Sequence, residues 1–246
     1  MDCVFGRVEV GPVSVIALSR HGGTSQSPYE SLNLGSYVGD NPENVAANFA
    51  RVKQLVGAKN LTYLNAKHGV QVNLAIEKSN AGPINAAADG DGLVCKIPGH
   101  AIVALSADCV PFALVDPINK VIAVGHAGWK GVLANLMKTL TATFEQSGGN
   151  PSSSTAVIGP SICAKCYEVP TDRVELFANT VPAAIFDSTH LDLVKGVSSV
   201  LTDFGFSITQ IPGCNFEDLN LFSYRRASGN ATGRGGLVAI INEDLI

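Results

Sequence analysis

Apolar positions in this chain fall mostly into short, unbroken or alternating runs rather than long helical stripes. Val8–Leu18 alternates loosely with period two, as a half-buried strand does. Further strand-like runs follow at Val70–Ile76, Gly92–Cys95, Ala101–Ala107, Phe112–Val115, Val121–Val124 and Ala156–Ile158, with a last one at Leu237–Ile241. They are rich in β-branched and aliphatic residues and bounded by Gly, Pro or Asp, the punctuation of strand ends. Helical spacing appears where Asn41 supplies an N-cap, Pro42 the first helical position, and Val45, Phe49, Val52, Leu55 and Val56 one apolar face before Gly57. It returns at Gly131–Glu145, Pro170–Asn179 and Thr189–Phe204. Strands and helices mix without strict alternation, so the pattern predicts an α+β protein with a mixed β-sheet core flanked by helices.

Composition narrows the class. The 246 residues are 46% hydrophobic and only 15% charged, enough to bury a core without disulfide staples. No repeat or charge block divides them, and Gln146–Thr155 is the one plausible linker, so residues 1–246 are expected to form one domain. Lys+Arg 17 against Asp+Glu 21 leaves a net charge of −4 with no basic run beyond Arg225-Arg226, which argues against a nucleic-acid partner. The N-terminal stretch lacks a basic leader and a cleavage pattern, and no apolar run approaches membrane length. A soluble, cytoplasmic protein without a membrane partner is expected, its six cysteines reduced or metal-bound.

The most informative segment runs from Ala107 to Gly131. Asp116-Pro117-Ile118-Asn119 has the chemistry of a type I turn between two apolar runs, so a hairpin is expected. A turn centred between Pro117 and Ile118 sets Cys109 opposite His126, with Cβ atoms about 5 Å apart, close enough to share a proton or a metal ion. A buried cysteine beside a structural histidine is the plain alternative. Asp108 adjoins the pair with an open role. After His126 the glycine-rich stretch Gly128–Gly131 enters a helix, where Lys130 and free backbone N–H groups offer an anion site.

These residues carry a family likeness. Arg20-His21-Gly22-Gly23-Thr24-Ser25, Pro28-Tyr29-Glu30-Ser31-Leu32-Asn33-Leu34-Gly35, Lys67-His68-Gly69, Ala107-Asp108-Cys109-Val110-Pro111, His126-Ala127-Gly128-Trp129-Lys130-Gly131 and Phe222-Ser223-Tyr224-Arg225-Arg226 occur in order. Together they resemble the YfiH-like family, which bears a multicopper polyphenol oxidoreductase or laccase name and whose members are zinc-dependent purine nucleoside enzymes. The resemblance implies His68 as a third ligand beside Cys109 and His126, a His₂Cys zinc site with an open position. It also implies phosphorolysis of adenosine, inosine, guanosine and 5′-methylthioadenosine, with adenosine deamination as a second activity, so purine nucleoside and phosphate are the expected small-molecule partners. Arg20, Asn33, Lys130 and Arg225 are the candidate substrate and phosphate contacts. Lys67 and Lys130 stand where the family more often has other residues, which leaves substrate preference open.

Copper is the alternative metal, but a four-copper laccase needs roughly ten histidines and this chain has five. A blue-copper centre wants an axial ligand such as Met, and only Met1 and Met137 exist. Two rival functions remain: a metal-free Cys–His hydrolase with Cys109 as nucleophile and His126 as base, and a binding protein whose closed metal site recruits Cys166 or Cys214. Cys163-Ala164-Lys165-Cys166 has no second pair and reads as structural thiols.

Overall fold

Strands that read as unbroken apolar runs must cover both of their faces, and the structure, a computed structural model describing residues 3–75 and 85–245, does this with two stacked sheets. The strands are β1 (Val4–Val10), β2 (Val13–Leu18), β3 (Asn60–Asn65), β4 (Val72–Leu74), β5 (Asn85–Asp89), β6 (Gly92–Cys95), β7 (His100–Ser106), β8 (Val110–Asp116), β9 (Val121–Ala127), β10 (Thr155–Ile158), β11 (Ser207–Gln210) and β12 (Gly235–Ile241). One sheet has the order β1-β2-β12-β7-β3-β5, the other β11-β10-β8-β9-β6-β4, and both mix parallel with antiparallel pairs. The helices are α1 (Pro42–Leu55), α2 (Trp129–Leu133), α3 (Leu136–Gln146), α4 (Thr171–Ala178) and α5 (Leu193–Asp203). The α+β expectation holds, with two sheets in place of one.

Alternation along β8 and β9 shows the layering. Ala113, Val115, Ile122 and Val124 point into the space between the sheets, where they meet Val15, Ile102, Ala104, Leu237 and Ala239. Their neighbours Phe112, Leu114, Val121 and Ala123 face outward and are covered by α2, α3 and α5 through Val132, Leu140, Phe144, Val197 and Leu201. On the far side α1 lays Val45, Phe49 and Val52 over Ile16, Val103, Val238 and Ile240. The result is a four-layer α/β/β/α stack in which each central strand is buried on both faces. Phe112 lies across from Gly125, whose added Cβ would come 2.3 Å from the ring, so only glycine lets that ring lie flat on the strand.

Local chemistry explains the element ends. Asn41 caps α1 by accepting from Glu43 N, with Pro42 in the first turn, as the sequence indicates. Three expectations are corrected. Val8–Leu18 is two strands: the chain folds back at Gly11-Pro12, with Gly11 at φ 57°, and Val10 pairs with Val13. Gly131–Glu145 is broken into α2 and α3 by Asn135, which sits at φ 60° and caps α3 by accepting from Lys138 N. Thr189–Phe204 yields helix only from Leu193, because Asp192 caps there and His190 bridges to Glu168. Gln146–Thr155 packs as a tight connection in which Asn150 N donates to Asp116 Oδ2. Of the expected run Val70–Ile76, only Val72–Leu74 pairs, and Ile76, like Met1, lies outside the described residues.

Candidate metal centre and substrate cleft

Loops at one end of the sandwich converge on a cleft of about 540 Å³. Ala66 and His68 follow β3, Leu105 and Ser106 end β7, Ala107–Cys109 join it to β8, His126 is the last residue but one of β9, Trp129 opens α2, Ile162 and Tyr167 follow β10, and Tyr224, Arg225 and Arg234 precede β12. The floor holds His68, Cys109 and His126, whose donor atoms all lie within 4.8 Å of one another. The two imidazoles meet edge to face with centroids 4.9 Å apart.

The route by which Cys109 and His126 meet differs from the expected register. β8 and β9 pair Pro111 with His126 and Asp116 with Val121, two residues away from the predicted alignment. The connecting loop holds four residues rather than two, because Lys120 takes φ 54° and Asp116 Oδ1 accepts from both Ile118 N and Asn119 N. Cys109 therefore lies just before the ladder, level with Gly128, and its sulfur reaches the His126 ring along the end of the sheet. A Cβ on Gly128 would sit 3.0 Å from both Cys109 Sγ and His68 Cδ2, so glycine is what lets the two donors close in.

Asp91, which sequence reasoning missed, organises this floor. It is fully buried just before β6. Its Oδ1 contacts His126 Nδ1 at 3.0 Å and accepts from His68 N at 2.9 Å, and its Oδ2 accepts from Gly69 N at 2.7 Å. One carboxylate thus fixes the turn that carries His68, itself at φ 60°, and occupies Nδ1 of His126 so that Nε2 faces the sulfur. Burial pushes the Cys109 thiol up, but the charge of His126 and hydrogen bonds from both imidazoles outweigh it and bring it down to about 6. Burial likewise opposes a charged His126, yet Cys109 and Asp91 hold its proton and raise it to about 9. Without a metal both shifts favour a thiolate beside a protonated ring, and a cation binding there would displace that proton.

The residues present fit a thiophilic divalent cation. Two imidazoles and a thiolate converge, one imidazole is oriented by a carboxylate, and a glycine clears the space between donors. His68, Cys109 and His126 are the residues that would hold it. Cys166 and Cys214 do not join this set, contrary to the closed-site alternative; they lie together elsewhere with Cys163 and Glu217.

The walls are aromatic and cationic. Tyr37, Trp129, Tyr167 and Tyr224 line the cleft, and arginines stack on them: Arg225 lies 5.3 Å from the Tyr167 centroid, and Arg234 lies 6.0 Å from Tyr37 and 5.7 Å from Tyr224. Asp108, at φ 110°, accepts from Arg225 N through Oδ2 at 2.7 Å, while its buried Oδ1 has no hydrogen-bond partner among the described residues. Burial pushes the pKa of its carboxyl up, partly offset by hydrogen bonds from Ser223 and the Arg225 backbone.

Of the expected substrate contacts, only Arg225 lines the cleft. Arg20 stacks on Phe222 at 4.8 Å and donates to Glu30 O, so its guanidinium is committed to joining two loops. Asn33 is fully buried and bonds Gly35, Asp40 and Arg234 N, which makes it a holder of the Arg234 loop. Lys130 is exposed, its Nζ 5.6 Å from the neighbouring Trp129 ring, and it stands outside the cleft wall. Arg234 is not among the expected contacts, because the aromatic neighbours that place it in the cleft come from residues 37 and 224, one of them far away in the chain.

Fold and site together define a class: a double-sheet α+β protein with a candidate His₂Cys metal centre at one end of its sandwich. The chain belongs to the family described as multi-copper polyphenol oxidoreductase laccase, whose model matches residues 14–242. It is 35% identical over 222 residues to a purine nucleoside phosphorylase of Streptomyces coelicolor, covering 87% of this chain and 90% of that one. A purine nucleoside phosphorylase of Corynebacterium glutamicum is 34% identical, with 94% and 96% covered. Among solved structures, Neisseria meningitidis protein NMB0706 superposes with a TM-score of 0.85 at 30% identity, over 98% of this chain and all of that one. YlmD of Geobacillus stearothermophilus, at 24% identity and a TM-score of 0.83, shares the fold over 99% of this chain and 100% of that one. Among the described residues no helix is long and apolar enough to cross a membrane.

Proposed function

We propose that this chain is a zinc-dependent purine nucleoside phosphorylase, acting on adenosine, inosine, guanosine and 5′-methylthioadenosine, with adenosine deamination as a second activity in the cytoplasm. One observation carries the reading: three metal-type donors form the floor of a cleft walled by four aromatic rings and two arginines. The names of the relatives support the same chemistry.

Phosphorolysis forms a bond from a phosphate oxygen to the ribose anomeric carbon while the glycosidic bond breaks and its electron pair leaves with the base. The purine face stacks on Tyr167 or Tyr224, and Arg225 and Arg234 draw phosphate toward the sugar and balance its charge. Asp108 Oδ1, buried in the wall with no partner among the described residues, meets a polar edge of the base. Asp91 keeps the His126 ring fixed throughout. Zinc held by His68, Cys109 and His126 supplies Lewis-acid charge stabilisation and, for deamination, water activation. The usual zinc-deaminase signature, H-x-E with P-C-x-x-C, is absent, so that activity rests on this different donor set.

Turnover of adenosine by purified protein, read by separating bases from nucleosides with and without phosphate, tests the reading. Adenine release that requires phosphate, and that fails in His68→Ala and after chelation, supports it. The thiolate beside His126 and Asp91 also favours a second reading, a metal-free Cys–His hydrolase. Activity that survives chelation and His68→Ala but not alkylation of Cys109 selects that one.

A further inference from the structure

A second group of soft donors lies outside the cleft. Cys163 and Cys166 are on the loop after β10, while Cys214 and Glu217 come from the loop after β11. The three sulfurs and a Glu217 carboxylate oxygen all lie within 4.8 Å of one another, and none of the thiols is in a disulfide. Zinc bonds of about 2.3 Å to sulfur put tetrahedral sulfurs roughly 3.8 Å apart, which this spacing accommodates.

The backbone is shaped for the same purpose. Cys163 O accepts from Cys166 N and Tyr167 N at 3.0 Å each, so the two-residue spacer turns both thiols to one side. Cys163 N donates to Cys214 Sγ at 3.3 Å, the kind of N–H to sulfur bond that steadies a thiolate ligand. Asp218 N donates to Cys214 O at 2.8 Å, a turn that brings Glu217 back beside Cys214. The loops already touch where Ser161 bridges Cys214 and Asn215 N donates to Ser161 O.

We propose that Cys163, Cys166, Cys214 and Glu217 form a closed, structural zinc site that clips the loop of residues 162–167 to the loop of residues 213–226. Three thiolates select a thiophilic ion, and a carboxylate as fourth donor favours zinc over cuprous copper. The clipped loops carry Ile162, Tyr167, Tyr224 and Arg225 to the cleft wall, and Arg225 donates to Glu168 O at 3.0 Å across them. The site therefore sets the wall without touching substrate.

Zinc content and thiol reactivity of the whole chain test this independently of any activity. Wild-type protein refilled with Zn²⁺ should hold about two ions per chain, and both His68→Ala and the Cys163→Ser/Cys166→Ser double variant about one. In His68→Ala protein loaded with Co²⁺, thiolate-to-metal charge-transfer absorption should have the strength of three sulfurs and weaken in Cys214→Ser. As a control that needs no variant at these positions, iodoacetamide mapped by mass spectrometry should label Cys163, Cys166 and Cys214 in wild-type protein only after zinc is removed. A His68→Ala chain that holds no zinc, labelling of the three thiols at the same rate with and without zinc, or a disulfide among them in freshly prepared protein overturns the proposal. Loss of phosphorolysis with the zinc count intact sinks the proposed function alone.

Discussion

Gly128→Ala isolates the crowding that shapes the metal floor. Gly128 has φ −79° and ψ 170°, a conformation alanine adopts freely, so the backbone carries no strain after substitution. The new methyl group would stand 3.0 Å from Cys109 Sγ and 3.0 Å from His68 Cδ2, and both must give by a few tenths of an ångström. Metal sites tolerate donor errors of only about 0.2 Å. Disturbing the surroundings of ligands typically costs about 10–100-fold in metal affinity, equivalent to roughly 1.4–2.8 kcal/mol. Stability of the metal-free chain should change by less than about 1 kcal/mol, since only an N-cap glycine is lost. The assay is Zn²⁺ competition against a chromophoric chelator in a Cys163→Ser/Cys166→Ser background, alongside thermal unfolding of the apo-protein. Wild-type zinc affinity in a chain that carries the methyl group would refute the crowding argument.

Asp91→Asn keeps the shape but removes the charge shared by His126, His68 N and Gly69 N, and should weaken zinc binding by about 10–100-fold with a visible loss of thermal stability. Arg225→Met and Arg234→Met should each raise the phosphate KM by about tenfold or more, whereas Arg20→Lys and Lys130→Ala, outside the cleft wall, should leave it within about twofold; initial rates over a phosphate series distinguish them. Asp116→Ala removes a buried carboxylate bonded to Ile118 N, Asn119 N and Asn150 N, at a cost of about 3 kcal/mol in urea unfolding at neutral pH. Burial pushes the Asp116 carboxyl up, but bonds from Asn119 and Asn150 outweigh it and hold it below the ordinary range. The part of its contribution that depends on the charge is accordingly present above about pH 4 and fades as pH falls through the lowered value, so the gap between wild type and variant should narrow in acid; a constant gap would contradict the assignment.

The positions of β6 to β10 were legible because strands buried on both faces have to be apolar throughout; that the strands divide into two stacked sheets was not. β3, β5 and β11 escaped notice: Asn60–Asn65 buries Leu61 and Leu64 but interleaves them with polar residues out of strict alternation, Asn85–Asp89 is an edge strand of Asn, Ala and Asp, and Ser207–Gln210 is a four-residue edge strand. Proximity of Cys109 and His126 followed from expecting a hairpin, although the register was two residues out, since the left-handed turn at Lys120 has no glycine to announce it. His68 came from family likeness alone. Asp91 and Arg234 were hidden for a common reason: each acts through partners distant in the chain, and one carboxylate or guanidinium has no periodicity. Arg20 and Asn33 stand in distinctive motifs but bond neighbouring loops, while Lys130 is exposed beside Trp129, so motif membership alone did not say where each side chain would lie.

Because the cleft is assembled from connections between strands, while the stacked layers beneath hold themselves together without it, appetite and architecture are separable in this protein. Lengthening or trimming the segments that bear Tyr37, Tyr167 or Tyr224 would retune which molecule is welcomed and leave the apolar interior undisturbed. Such a division of labour lets a lineage explore new substrates by editing a rim.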